Sequence, residues 1–294
     1  MATVVNLNGR LVAPEDATVS VFDRGFLYGD SVYEVVRTYG GRPFAMGRHL
    51  ARLHGSAARI GMVLPWSDER IVAEVQRTLE AAGNDESYVR IVATRGAGEI
   101  GLDTALAENP LLLVIVQAIH LPPPEAYEQG VKVQLVGVRK NLREAIDPRA
   151  KTGNYLNNVM ALREAKMRGA YEAVMLDAEG RITEGSSSNL FVIQGGRLIT
   201  PPVEVGILEG VTRAEIFDVA QEKGIPVEER HLLPLDLLHA DEAMITSSVR
   251  EIVPVVRVGI DDDERPIGNG SVGPVVQRIT TAFRAHARRS VGLA

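Results

Sequence analysis

Three consecutive prolines within the segment His120–Gly130 constrain the fold of this chain more than any other local feature. Proline fixes φ and has no backbone N–H group, so the segment cannot continue a sheet or the interior of a helix. At 294 residues the chain is also long enough to build two cores. We therefore expect an α/β domain over residues 1–120, a stiff linker over residues 121–130, and a second domain over residues 131–294.

Strands and helices alternate on both sides of this segment. Asn8-Gly9 separates two short alternating runs, which is a strong hairpin signal. Helices are expected over Gly47–Met62 and over Ser67–Ala82, the second with a capping serine at its start and a glycine after its end. Beyond the prolines, a strand over Val131–Val138 precedes a helix over Tyr155–Arg168. The pattern predicts a mixed α/β (α+β) fold.

A glycine-rich segment, Gly96–Gly101, reads GAGEIG and matches the GxGxxG pattern of dinucleotide-binding folds. That function requires a helix that opens at the glycines and a following strand that ends in an acidic residue. Only Leu102–Asn109 separates the pattern from Pro110, and the next strand ends at His120. We therefore interpret the segment as a loop.

The five lysines limit where amine chemistry can occur, because arginine stays protonated in proteins. Lys132 alternates with valines as on the wet face of a strand, Lys166 lies on a charged helix face, and Lys223 precedes a glycine at a helix end. Lys140 has no evident task. Lys151 lies where a loop enters a helix, a place where ligands are met. Its position alone favours an ordinary loop lysine, and the neighbouring motifs make it a candidate nucleophile.

Two segments are candidate anion sites. The segment ILEGVTR, residues 207–213, opens a helix, and the backbone N–H groups of residues 210–212 would suit a phosphate. Thr212 and Glu215 also have the spacing of a capping box, in which Thr212 caps the helix. Ser247-Ser248 places two hydroxyl groups at the end of a buried strand.

Composition argues against several other functions. The formal net charge of −6 argues against nucleic acid as a partner, and the absence of cysteine excludes disulfides and thiolate chemistry. The six histidines do not fall at metal-ligand spacings. The longest apolar run, Leu111–Val116, is too short to span a bilayer, and the first residues lack the features of a signal peptide. We expect no metal, no membrane association and a cytoplasmic location.

Six motifs, in order, resemble the class IV, fold-type IV aminotransferases that use pyridoxal 5′-phosphate. They are RGFLYGDSVYEVVR (24–37), HLARLHGSA (49–57), KTGNYLNN (151–158), ITEGSSSNLF (182–191), ILEGVTR (207–213) and TSSVREIVPV (246–255). The resemblance implies a two-domain fold with a smaller N-terminal domain, a larger strand-rich C-terminal domain and an active site at the domain interface. It also implies a homodimer or a higher homo-oligomer.

The resemblance also implies a role for each matching residue. Lys151 would be the catalytic lysine that carries the cofactor as a Schiff base, and Glu184 the carboxylate that pairs with the pyridine nitrogen. Tyr155 would lie near the phenolic oxygen, and Arg52, Val211, Thr212 and Ser248 would hold the phosphate. The remaining cofactor contacts would be Ser187, Leu208, Gly210 and Ser247. Lysine is a poor nucleophile until its surroundings lower its pKa, so we expect such an environment around Lys151.

Substrate choice rests on fewer residues. Tyr88 and Arg90 resemble the Tyr-x-Arg of branched-chain enzymes, where they would contact a carboxylate. Tyr28 and Tyr33 are candidates for an apolar pocket, although core packing is the default for either tyrosine alone. Val249 is a further expected substrate contact. Ile100 and Leu102 stand where the D-amino acid enzymes have an arginine and a histidine that bind carboxylate. We expect transfer from an L-branched-chain amino acid to 2-oxoglutarate.

Other functions remain open at this point. GDSVYEVVR and EGSSSN resemble the D-amino acid transaminases as much as the branched-chain enzymes, and Arg250 would supply a different carboxylate site or make a surface contact. An (R)-amine transaminase or an aminodeoxychorismate lyase-like enzyme belongs to the same family. A small-molecule-binding protein on this fold would need no reactive lysine, and it would show no visible absorbance that changes with added L-leucine.

Overall fold

A computed structural model describes residues 2–294, which divide into two structural units. The first unit comprises the chain up to His120 together with Ala150–Asn154 and Arg288–Ala294. The second comprises Leu121–Arg149 and Tyr155–Ala287. Both units combine a sheet with helices, so the predicted mixed α/β fold is confirmed.

The first unit is built on a six-stranded sheet. Its strands are β1 (Val4–Leu7), β2 (Arg10–Val12), β3 (Ser31–Tyr39), β4 (Arg42–Pro43), β5 (Ser87–Thr94) and β8 (Leu111–Ala118), and a separate short pair is formed by β6 (Ala97–Gly98) and β7 (Ala107–Glu108). Its helices are α1 (Arg24–Tyr28), α2 (Met46–Arg59) and α3 (Asp68–Ala82), with 3₁₀ turns at Pro14–Asp16 and Thr104–Leu106.

The sheet order β2-β1-β8-β5-β3-β4 is antiparallel throughout. Because side chains alternate along a strand, Val89 and Ile91 of β5 enter the core, while Tyr88 and Arg90 lie on the opposite face. The amphipathic helices α2 and α3 cover the core face, with residues such as Leu53 fully buried.

The second unit contains a nine-stranded sheet. Its strands are β9 (Val131–Leu135), β10 (Glu172–Leu176), β11 (Ile182–Gly185), β12 (Asn189–Gln194), β13 (Arg197–Thr200), β14 (Val227–Glu229), β15 (Glu242–Ser247), β16 (Glu251–Ile260) and β17 (Asp263–Pro266). Its helices are α4 (Pro124–Glu128), α5 (Leu156–Met167), α6 (Val211–Glu222), α7 (Pro234–Leu238) and most of α8 (Pro274–Ser290), with a 3₁₀ turn at Val203–Val205.

The second sheet runs in the order β11-β10-β9-β16-β15-β12-β13-β14, with β17 paired to β16. Strand β9 pairs in parallel with both β10 and β16, whereas β12, β15 and β16 form an antiparallel series. Strands β10, β12 and β15 are buried along almost their whole length, because residues on both of their faces are covered. Because these three strands are buried, the polar side chains at their ends have rigidly held backbones.

The segment that the sequence assigned to a stiff linker differs in the structure. Residues 121–130 belong to the second unit, and Pro124 begins the short helix α4. Proline is well tolerated at the first position of a helix, where its missing N–H has no intrahelical partner anyway. Ala126 of α4 is buried in the core of the second unit, so this part of the chain packs as an ordinary element.

The segment Ala150–Asn154 also differs from its assignment to the second domain, because it is paired with β3 of the first unit. Thr152 forms a bridge with Val32, and the Gly153 amide donates to the Ser31 carbonyl at 2.9 Å. A Cβ atom at position 153 would clash with Ser31 Oγ, so a larger residue here would force the serine side chain to move. Lys151 therefore belongs to the first unit, although the residues on either side of this segment belong to the second.

Two local expectations have different outcomes. Gly96–Gly101 opens no helix, as expected, but Ala97 and Gly98 form the short strand β6, so the segment is not entirely a loop. The capping box at Thr212 is wrong. Helix α6 begins at Val211 with Gly210 as its N-cap, and Glu215 instead bonds His286 Nε2 at 2.8 Å.

Across residues 2–294 no helix combines the length and apolar character that a bilayer crossing requires. The same residues contain no group of three or more histidine, aspartate or glutamate side chains arranged to hold a metal ion.

Candidate active site

The backbone on both sides of Lys151 is anchored within the first unit. The Lys151 amide donates to Ser56 Oγ on α2 at 3.0 Å, and the Lys151 carbonyl accepts from the Tyr33 amide at 3.0 Å. Helix and sheet therefore hold the same residue from two directions. The base of the side chain has a defined position, as a reacting group needs.

The Lys151 amine lies against Tyr33. Nζ is 3.3 Å from the Tyr33 hydroxyl oxygen and 4.4 Å from the centre of its ring. Burial lowers the pKa of Lys151, Tyr33 opposes that effect, and the positive charge of Arg52 adds to the lowering. A lysine whose charged form is disfavoured has a larger neutral fraction, and the neutral amine is the nucleophile.

A buried carboxylate, Glu34, organises the opposite face of β3. Arg52 Nε and Nη2 each donate to it at 2.7 Å, a bidentate pair, and His49 Nδ1 lies 2.6 Å from Oε2. Burial acts to raise the pKa of Glu34, but Arg52 and His49 lower it to about 2. Burial also lowers the pKa of His49, so the ring is neutral at pH 7 and Nδ1–H is the donor.

Arg90 lies on the face of the sheet that carries Tyr33. Its guanidinium carbon is 4.0 Å from the centre of the Tyr33 ring. Within residues 2–294 Arg90 has no carboxylate partner and no hydrogen bond. A half-buried arginine without a counter-ion is available for an anionic ligand. Tyr88 lies two residues before it on the same face.

Tyr28 has a different environment from that expected of a pocket residue. It ends α1, its hydroxyl oxygen accepts from the Gly101 amide at 3.2 Å, and the Arg24 guanidinium stacks on its ring at 4.9 Å. These contacts attach Tyr28 to the glycine-rich loop. Ile100 and Leu102 of that loop are exposed.

In the second unit Glu184 is held by three donors. Lys140 Nζ donates to Oε1 at 2.6 Å, while Asn189 Nδ2 and the Leu208 amide donate to Oε2 at 3.2 and 3.1 Å. Carboxylate oxygens have several lone pairs and can accept all three of these bonds at once. The carboxylate at the end of β11 therefore has a defined orientation. Lys140, which had no evident task in the sequence, is its nearest cation.

The start of α6 is an anion-binding geometry in the same unit. Gly210 is the N-cap, and no side chain among residues 2–294 caps this helix. A Cβ atom at position 210 would clash with Asn189 Oδ1, so glycine allows the backbone to approach closely. The free N–H groups at a helix N-terminus favour a phosphate or carboxylate.

The remaining predicted residues lie in the second unit. Tyr155 is the N-cap of α5, and Val249 follows Ser247 and Ser248 in the turn between β15 and β16. Ser187 lies in the turn between β11 and β12, where it contacts the buried Glu172 and Arg250.

Reasoning from sequence missed five groups that the structure brings to these positions: Glu34, His49, Ser56, Lys140 and Glu172. Glu34 and Glu172 follow the alternation of their strands and are spaced like core residues. The only signal was a carboxylate at a core position, which requires a buried partner.

Comparison with known proteins gives one family. The family model described as amino-transferase class IV matches residues 31–258. The chain is 39% identical over 280 residues to the "Putative branched-chain-amino-acid aminotransferase" of Methanocaldococcus jannaschii, covering 95% of each sequence. It is 32% identical to the D-alanine aminotransferase of Bacillus licheniformis, again covering 95% of each.

Solved structures agree with the same family. The branched-chain amino acid aminotransferase of Escherichia coli superposes with a TM-score of 0.91 at 30% identity, covering 98% of this chain and 95% of that one. The branched-chain aminotransferase of the thermophilic archaeon Thermoproteus uzoniensis, solved with norvaline, has a TM-score of 0.88 at 34% identity, with the same coverage of 98% and 95%.

Proposed function

Because the chain belongs to the class IV aminotransferases, we propose that it transfers an amino group from an L-branched-chain amino acid to 2-oxoglutarate, with pyridoxal 5′-phosphate as its cofactor. The observation that carries the proposal is the Lys151 amine, which contacts Tyr33 and whose pKa is lowered by burial. Such a lysine has the property that reaction with an aldehyde requires.

The donor groups of the chain fit this cofactor. When bound, pyridoxal 5′-phosphate supplies an aldehyde that takes up the amino group and a ring that accepts the electrons left at the substrate Cα. Lys151 Nζ would attach to the aldehyde, and the Glu184 carboxylate would pair with the pyridine nitrogen. The uncapped N-terminus of α6 has the polarity that the phosphate needs.

Each residue of the proposed site has its own role in the reaction. Lys151 would act as the general base for the proton on the substrate Cα and as the general acid when that proton is returned. Tyr33 orients the amine through its hydroxyl group. We propose that the phosphate is held by Arg52, Val211, Thr212 and Ser248, and that the other cofactor contacts are Tyr155, Ser187, Leu208, Gly210 and Ser247.

Arg90 supports a carboxylate substrate. It is the arginine beside Tyr33 that lacks a counter-ion within residues 2–294, so an incoming amino acid or oxo acid carboxylate would complete its pairing. We propose Tyr33, Tyr88, Arg90 and Val249 as substrate contacts. Tyr28, whose hydroxyl oxygen accepts from the Gly101 amide, stays a proposed substrate contact.

A half-reaction screen tests the substrate. The purified enzyme, loaded with pyridoxal 5′-phosphate, is mixed separately with L-leucine, D-alanine, D-glutamate and (R)-1-phenylethylamine, and the loss of the visible cofactor band is followed. We expect L-leucine to react fastest. We also expect related aliphatic side chains to be accepted, because an apolar pocket discriminates by only about 1–3 kcal/mol per methylene group.

The second candidate is a D-amino acid transaminase. It is supported by identities of 32–35% to several D-alanine aminotransferases. The sequence suggested that, in such an enzyme, Arg250 would bind the substrate carboxylate. In the structure Arg250 is paired with the buried Glu172 at 3.1 Å, so a substrate carboxylate would have to share it with that pair. Faster conversion of D-alanine than of L-leucine in the screen would select this candidate and reject the branched-chain proposal.

We also propose that the protein forms a homodimer. The first unit exposes the apolar residues Val21, Phe22, Phe26, Leu27, Ile100 and Leu102, and Arg24 connects their two segments by donating to the Gly101 and Leu102 carbonyls. Exposed apolar surface is typical of protein–protein contacts. Light scattering coupled to size-exclusion chromatography should give twice the mass of the chain, and Phe26→Glu should lower it. A monomeric wild-type protein would contradict this proposal without affecting the chemistry.

A further inference from the structure

Glu172, at the start of β10, is a fully buried carboxylate that collects an unusual number of donors. The hydroxyl groups of Ser187 and Ser188 donate to Oε2 at 3.0 and 3.2 Å, and Ser186 donates to Oε1 through both its amide and its hydroxyl. Arg250 Nη2 donates to Oε2 at 3.1 Å. One acid therefore holds the entire serine turn that follows Glu184.

Arg250 connects this turn to a second one. Its Nη2 also donates to Ser187 Oγ at 2.9 Å and to the Ser187 carbonyl at 3.1 Å. Its Nε donates to Ser247 Oγ at 3.1 Å, at the end of β15. The planar guanidinium reaches both turns at once, a geometry that a lysine cannot reproduce.

The second turn is restrained from its other side as well. Glu251 has φ of 59°, a left-handed conformation that is costly for a residue other than glycine. Arg284 Nε donates to its carboxylate at 2.8 Å, and the Tyr127 hydroxyl donates to the Arg250 carbonyl at 3.2 Å. The backbone from Ser247 to Glu251 is thus held in one conformation from two sides.

The hydrogen positions distinguish the two serines. Burial acts to raise the pKa of Glu172, but Arg250 and the serines keep it lowered, so the carboxylate is ionised and can only accept. The single hydroxyl hydrogen of Ser187 is therefore committed to Glu172. Ser247 Oγ accepts from Arg250, which leaves its own hydroxyl hydrogen free to be donated elsewhere.

We propose that Glu172 and Arg250 are positioning residues that fix the turn at Ser247 and hold the Ser247 hydroxyl group for the cofactor phosphate, and that the Ser187 hydroxyl group serves this pair. The inference rests on the proposed function, because it takes the phosphate of pyridoxal 5′-phosphate as the anion. It gives Arg250 a task other than substrate binding.

The test compares two ligands that differ only in the phosphate. Apo protein is titrated with pyridoxal 5′-phosphate and with pyridoxal. The dissociation constant for pyridoxal divided by that for pyridoxal 5′-phosphate reports the phosphate contribution. We expect Arg250→Met and Glu172→Gln each to reduce this ratio about ten-fold, corresponding to the loss of one charge-assisted contact. A variant that destabilises the whole unit would weaken the binding of both ligands by the same factor and leave the ratio unchanged.

Three further variants sharpen the result. The double variant should lose no more than either single variant, because both residues act through one pair. Ser247→Ala should reduce the ratio more than Ser187→Ala. The matched control is Arg257→Met on β16, which removes an arginine from an exposed pair with Glu264 and should leave the ratio as in the wild type.

The outcomes separate this inference from the proposed function. Folded Arg250→Met protein with a ratio within two-fold of wild type would overturn the inference alone. Wild-type protein that binds pyridoxal 5′-phosphate no better than pyridoxal would overturn the phosphate assignment, and the inference with it. If Arg250→Met does not fold, Arg250→Lys replaces it. Lysine keeps the charge beside Glu172 but cannot reach Ser247 as well, so the same reduced ratio is expected.

Discussion

The surroundings of Lys151 and those of Glu184 treat charge in opposite ways. Around Lys151, burial and the nearby Arg52 disfavour the ammonium form. Around Glu184, Lys140, Asn189 and the Leu208 amide all donate to the carboxylate and hold it in one direction. The first arrangement makes a side chain reactive, whereas the second fixes the orientation of an acceptor. A transaminase needs one of each.

Glu34 provides the sharpest test within the first unit, because its environment resembles that of Glu184 more than that of Lys151. It is buried and bound by Arg52 and His49. Removing one partner of a buried pair leaves the other uncompensated, so Glu34→Gln should lower the free energy of unfolding at pH 7 by about 3–5 kcal/mol. Urea unfolding measures the change, with the exposed Glu80→Gln on α3 as control.

The pH dependence of that difference has a definite sign. The folded-state pKa of Glu34, about 2, lies below its ordinary value of 4.5, so the unfolded chain takes up the proton first as the pH falls. The stabilisation from Glu34 is therefore full above about pH 4.5 and is lost as the pH falls toward 2. A difference between wild type and Glu34→Gln that grows on acidification would contradict this description.

Glu184→Gln tests the oriented carboxylate of the second unit. We expect the variant to fold and bind pyridoxal 5′-phosphate, but to transaminate about 10²–10³-fold more slowly, as when a preorganised electrostatic group is removed. Single-turnover kinetics with L-leucine measure the effect. The control is Glu179→Gln, an exposed carboxylate in the turn before β11. Near-normal turnover would show that the charge of Glu184 does not serve the chemistry.

Arg90 gives the smallest expected effect. Arg90→Gln should raise the KM for the amino acid about ten-fold or more, because it removes one charge-assisted pair with a carboxylate. The turnover number should change less, since Lys151 and Tyr33 are retained. Arg10→Gln, an exposed arginine on β2 of the same unit, is the control. An unchanged KM for both the amino acid and 2-oxoglutarate would remove Arg90 from the substrate site.

Local signals in the sequence were sufficient to predict most of the helices and strands. Asn8-Gly9 forms the expected hairpin turn, with both residues at positive φ. Ser67 caps α3 by accepting from the Arg70 amide, and Gly83 ends that helix in the left-handed conformation. These features depend on neighbours within a few residues, and such neighbours can be read from the sequence directly.

The polar pairs were not predictable by the same route. Arg250 and Glu172 are separated by 78 positions, and Lys140 and Glu184 by 44. Periodicity identifies which face of an element is buried, but it does not identify the distant residue that meets it there. The return of Ala150–Asn154 to the first unit was missed for the same reason, because its partner, β3, lies more than a hundred residues earlier.

The identity of the reactive lysine is the central claim, and covalent trapping tests it most directly. The wild-type protein is loaded with pyridoxal 5′-phosphate, reduced with borohydride, digested and mapped by mass spectrometry. We expect a single phosphopyridoxyl group on Lys151, with Lys151→Ala unlabelled under the same conditions. Label on Lys140, the amine paired with Glu184, or on Lys166 in place of Lys151 would contradict the assignment.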